Sequence, residues 1–131
     1  MNDVLGNPQL MKKVGRVIAS AYAEQEINVV MTMATKGIPI ANAVASYLNV
    51  PVVIVRRDNK VTEGPTVSIN YISGSSKRIQ TMLLSKRSLE EGSKVLVVDD
   101  FMKAGGTIKG MTDLLAEFNA TVAGITVLIE S

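Results

Sequence analysis

Short, nearly unbroken runs of aliphatic residues alternate along this chain with segments of helical period, and that alternation narrows the fold more than any other feature. Ile27 to Met33, Pro51 to Val55, Lys94 to Asp100 and Val122 to Ile129 each carry apolar side chains at successive positions. A strand with one wet face alternates apolar and polar residues, whereas a strand buried on both faces does not. Valine (17) and isoleucine (11) together far outnumber leucine (10), and β-branched side chains suit strands. Between the runs lie helical patterns. Pro8 to Gln25 has proline near its start, where a missing N–H costs nothing, and an apolar stripe at Leu10, Val14, Val17, Ile18 and Ala21. Pro39 to about Leu48 and Ala104 to Phe118 are the other two helices predicted. Strand, helix and strand from Ile27 to Val55 make a βαβ unit that should cross over right-handed. The middle differs: Thr66 to Ile72 and Arg78 to Leu84 alternate and flank Ser73-Gly74-Ser75-Ser76-Lys77, which predicts an antiparallel arm. Arg56 to Pro65, charged and ending in Gly64-Pro65, is predicted as an exposed loop. The expected fold is α/β, a parallel twisted sheet flanked by helices with an antiparallel hairpin attached.

At 131 residues the chain has the size of one domain, and no repeat or linker divides it. Fourteen basic against twelve acidic residues leave +2, too little to argue for nucleic acid or an acidic membrane. Histidine and cysteine are both absent, which excludes disulfides, Cys/His zinc sites, a thiol nucleophile and a histidine general base within these residues. No apolar run approaches the roughly eighteen residues of a membrane span. Met1-Asn2-Asp3 does not open a signal peptide, so a cytoplasmic location is expected and the sequon Asn119-Ala120-Thr121 reads as chance. Ser131 follows directly on an apolar strand, and the chain is expected to be a piece of a longer protein.

The chemistry is concentrated in Val95 to Thr107, VLVVDDFMKAGGT. Four aliphatics build a buried strand, and open α/β sheets place ligands at the carboxyl ends of their strands. Asp99 and Asp100 stand at that end, where carboxylates accept hydrogen bonds from hydroxyls or approach a divalent cation. Ala104-Gly105-Gly106-Thr107 then opens a helix. Its glycines let backbone N–H groups approach an anion, the helix N-terminus favours negative charge, and Thr107 adds a hydroxyl. Diol-binding acids beside a phosphate cradle describe a sugar-phosphate site. The other phosphate motifs, GxxxxGK[ST] and GxGxxG, do not occur.

This stretch resembles the phosphoribosyl pyrophosphate (PRPP) signature of type I phosphoribosyltransferases. Val29 to Gly37 is similar to the loop with which that family holds pyrophosphate, and the arm matches its flexible hood. Within the superfamily, DNKVTEG, SINY, GSS-x-RIQTM and DDFMKAGGT are similar to segments of the effector domains of Gram-positive purine operon repressors. The resemblance covers nearly the whole chain. It implies that Asp99 and Asp100 meet the ribose hydroxyls with Mg²⁺ nearby, brought by the ligand. Ala104, Gly105, Gly106 and Thr107 would cradle the 5-phosphate, with Lys103 beside them, and Thr35, Lys36 and Gly37 would face the pyrophosphate. It also implies a homodimer, a winged-helix DNA-binding module before residue 1, and a missing C-terminal tail. A purine or guanine nucleotide is a candidate competitor.

The departures from the enzymes bear on catalysis. Lys103-Ala104 stands where active enzymes usually carry Thr-Gly, and the segment that walls the nucleobase in such folds would follow Ser131. No catalytic residue is assigned. The first reading is a PRPP-sensing module without catalysis; the alternative is a purine phosphoribosyltransferase that releases pyrophosphate. Two basic clusters, Arg56, Arg57 and Lys60, and Lys77, Arg78, Lys86 and Arg87, read better as solvated faces than as a site for the phosphates of a ligand or of DNA. Tyr71, Met31 and Met33 read as packing.

Overall fold

The computed structural model describes residues 8–33, 37–57, 65–72, 78–100 and 104–128. Its elements in chain order are α1 (Pro8–Ala21), β1 (Val29–Met33), α2 (Ile38–Leu48), β2 (Val52–Arg57), β3 (Thr66–Ile72), β4 (Ile79–Ser85), β5 (Lys94–Asp100), α3 (Ala104–Glu117) and β6 (Thr121–Leu128). The strands form one sheet in the order β3-β4-β2-β1-β5-β6. β2, β1, β5 and β6 are mutually parallel, with Met31 paired to Val53 on one side and Val97 on the other. β4 runs antiparallel to β2 and to β3, so the hairpin extends one edge of the sheet.

The unbroken aliphatic runs have the predicted cause. Every residue of β1 is buried, because α3 covers one face and α1 with α2 covers the other. The two-residue period sorts the strands between two cores. Val29, Met31, Met33, Val95 and Val97 pack with Met111, Leu114 and Leu115 of α3, joined by Tyr71 and Met82 from the hairpin. Val30, Leu96 and Val98 pack with Met11 and Ala19 of α1 and with Ile40 and Val44 of α2. Tyr71, Met31 and Met33 are therefore packing residues, as the sequence suggests.

Three expectations are corrected. Arg56 and Arg57 do not end β2: they pair with Leu83 and Met82, and a backbone ladder can continue where side chains turn to solvent. Helix α1 stops at Ala21, after which i→i−3 bonds from Tyr22, Ala23 and Gln25 tighten the chain into turns. Its buried stripe is Met11, Gly15 and Ala19, while Val17 is 62% exposed. Small residues line that stripe because α2 crosses closely: a β-carbon at position 15 would stand 2.6 Å from the Ala43 methyl. Two asparagines close helices in the left-handed region, Asn49 (φ 60°) after α2 and Asn119 (φ 55°) after α3. Asn119 is thus half of a turn, and its carbonyl accepts the Gly92 N–H at 2.9 Å.

Candidate anion-binding site at the carboxyl end of the sheet

The strand order brings the carboxyl ends of β2, β1 and β5 side by side. Arg57 ends β2, Met33 leads to Gly37 and the start of α2, and Asp99 and Asp100 end β5. β5 reaches this end while still paired to β6, Asp99 opposite Val127 and Asp100 opposite Leu128, so the two acids are held by a ladder. Helix α3 starts at Ala104, which returns its N-terminus to the edge the acids occupy. The positive end of the α3 macrodipole therefore lies at the same end of the sheet as the backbone of Asp99 and Asp100. Thr35, Lys36 and Lys103 lie outside the described residues, and Asp100, Ala104 and Gly105 are placed by backbone alone.

Asp99 is 1% exposed and Thr107 is 3% exposed, so both polar groups sit in the protein rather than in bulk water. The period along β5 puts Asp99 on the face of Val95 and Val97, beneath α3. Tyr71 belongs to the same core as Val95 and Val97. Its hydroxyl donates to Gln80 Oε1 at 3.1 Å, and Arg57 Nη1 donates to the same oxygen at 3.2 Å. Burial pushes the Tyr71 phenol above its ordinary range; Arg57 works against that shift and the charge of Asp99 adds to it. The hairpin is thereby tied to β2 and packed, through Tyr71, into the core that α3 covers.

The phenol supplies a pH-dependent test. Its folded value is raised, so the stability it contributes is complete below its unfolded value of about 10 and is lost as pH rises through the folded value. Tyr71→Phe is expected to make the melting temperature fall less steeply above pH 10. In a 295 nm titration it should remove an ionisation lying above the usual tyrosine range. Identical slopes for both proteins would contradict a buried phenol.

Gly106 carries a constraint beyond anion access. A β-carbon there would collide with the backbone carbonyl oxygen of Ile72, so the absent side chain lets the end of β3 lie across the first turn of α3. Sequence reasoning also missed Gln80 and the bonded role of Arg57, which alternation and charge alone assign to a wet surface. It passed over Thr32, the one polar residue in VVMTM, which is fully buried against Gly37. Arg56, Arg57, Arg78, Lys86 and Arg87 are exposed, in keeping with solvated faces. Among the described residues, no helix is long and apolar enough to cross a membrane.

Residues 1–131 match the family model described as phosphoribosyl transferase domain. The chain is a member of the phosphoribosyltransferase domain family. This domain is 70% identical over its whole length to the purine biosynthesis transcriptional repressor PurR of Bacillus subtilis, of which it covers 46%. It is 34% identical over 93% of its length to the xanthine phosphoribosyltransferase of Lactococcus lactis subsp. cremoris, covering 62% of that enzyme. Among solved structures, an adenine phosphoribosyltransferase from Rhodothermus marinus superposes with a TM-score of 0.84 at 28% identity, over 97% of the domain and 70% of that chain. The type I phosphoribosyltransferase fold expected from the sequence is the fold observed. The domain spans about half the length of the purine regulator it matches.

Proposed function

We propose that this domain is the PRPP-sensing module of a repressor of purine biosynthesis genes, and that it binds PRPP without turning it over. The observation that carries the reading is the pairing of 70% identity, over the length of this domain, to 46% of a purine repressor with the arrangement at the carboxyl end of β5. Asp99 and Asp100 accept hydrogen bonds from the ribose diol. Ala104, Gly105, Gly106 and Thr107 receive the 5-phosphate at the N-terminus of α3, with Lys103 adding a cation. Thr35, Lys36 and Gly37 receive the pyrophosphate. Two carboxylates at one strand end suit Mg²⁺ that arrives with phosphates and keeps several waters, so the residues fit the ion expected to accompany the ligand. Binding acts on DNA only by favouring one arrangement of a cytoplasmic homodimer whose DNA-reading parts lie outside these residues. A purine or guanine nucleotide competes for the same site.

A second reading is a purine phosphoribosyltransferase, favoured by the similarity to the xanthine enzyme. Lys103-Ala104, in place of the usual Thr-Gly, weighs against it. One experiment separates them: ³¹P NMR of this chain with PRPP, Mg²⁺ and a mixture of purine bases. Shifted or broadened ligand resonances without free pyrophosphate are expected. Base-dependent release of pyrophosphate would establish the enzyme and overturn the sensor.

A further inference from the structure

Thr32 is 0% exposed, and among the described residues its hydroxyl has no hydrogen-bond partner. Burying such a group costs its bonds to water with nothing gained in return, and native proteins rarely tolerate this without a use. The two-residue period puts Thr32 on the face of Val30, which packs with α1 and α2. Valine would fill the same space in that core without cost.

The hydroxyl stands against Gly37, where any β-carbon would collide with Thr32 Oγ1. Gly37 is the N-cap of α2, yet it has helical rather than extended backbone (φ −76°, ψ −12°) and supplies no side-chain cap. Pro39 follows in the first turn and removes one donor. Among the described residues, a helix start without a side-chain cap and an orphaned hydroxyl thus meet at one residue without satisfying each other. Both would be satisfied if an anion at the start of α2 drew the backbone around Gly37 into a different arrangement.

We infer that Thr32 is a positioning residue whose hydroxyl forms its hydrogen bond only when an anion occupies the N-terminus of α2. The inference rests on the proposed reading of the site and adds to it a residue that never touches the ligand. Its hydroxyl destabilises the empty protein and stabilises the occupied one, so the two states reward opposite side chains.

Thr32→Val removes the hydroxyl and keeps the shape. Its melting temperature without ligand is expected to rise by about 2–4 °C, while its Kd for PRPP with Mg²⁺, read by calorimetry, weakens roughly fivefold to tenfold. Thr32→Ser restores the hydroxyl and is expected to recover most of the affinity. If Thr32→Val binds PRPP as tightly as the wild type, the inference falls and the site reading stands. If it loses thermal stability and affinity together, Thr32 is merely structural and the inference again falls. Failure of the wild type to bind PRPP overturns both.

Discussion

Gly106→Ala is expected to lower the melting temperature of this domain by roughly 10 °C, corresponding to about 2–4 kcal/mol. Alanine is the better helix former by about 1 kcal/mol, so propensity alone predicts the opposite sign. The steric effect wins because the methyl would meet backbone. Its nearest neighbours are the carbonyl oxygen of Ile72 and, at 2.7 Å, the carbonyl carbon, and neither can rotate aside. Relief requires β3 and α3 to separate, which would open the packing of Tyr71 against Met111 and its neighbours. Gly110→Ala, one turn along the same helix, is the internal control. There the closest atom is the Met82 terminal methyl at 2.6 Å, the far end of a flexible side chain. The Gly110 variant should lose well under half as much stability in the same thermal melt. Equal losses at the two positions would mean that helix content, and not the crossing of β3 over α3, sets the effect.

That contrast marks the boundary of what the sequence discloses. β5 and α3 are legible because a strand of four aliphatics ends in two acids and a helix begins with small residues, all within one local stretch. The hairpin is legible for the same reason, since alternation from Thr66 to Ile72 and from Arg78 onward needs no distant partner. Close approaches are a different matter. Gly15 against Ala43 and Gly106 against Ile72 are agreements between residues far apart in sequence, and a glycine gives no sign of which backbone it admits. Val17 looks like core on a helical wheel, yet lies outside the stripe along which α2 crosses. Thr32 could have been singled out, because a lone hydroxyl inside a fully buried strand demands a partner. That it has none, and that it stands against the start of α2, is visible only once Gly37 is placed beside it.

The two acids carry the largest expected effect on binding. Asp99→Asn and Asp100→Asn keep the size of the side chain and remove its charge. Each carboxylate in the proposed complex accepts charge-assisted hydrogen bonds, worth about 1.5–3 kcal/mol apiece, from a ribose hydroxyl or a water on Mg²⁺. Losing one or two of these weakens binding of PRPP roughly tenfold to a thousandfold or more. The effect should be larger at Asp99. Its carboxylate is buried, and interactions there are less screened than in bulk water. An amide at that position keeps one acceptor oxygen but loses the charge and the second acceptor, so a diol hydroxyl that donated to the lost oxygen must reorient to accept from the N–H₂ instead. Calorimetry with PRPP and Mg²⁺ measures the loss, and circular dichroism checks that each variant remains folded. Ionic strength distinguishes the acids' role from a general field effect. A loss caused by oriented bonds persists at high salt, whereas one caused by long-range charge fades as the screening length shrinks from about 10 Å to about 3 Å. Affinity unchanged in a folded Asp99→Asn protein would remove the ribose from the end of β5, and with it the reason for two consecutive acids at that edge of the sheet.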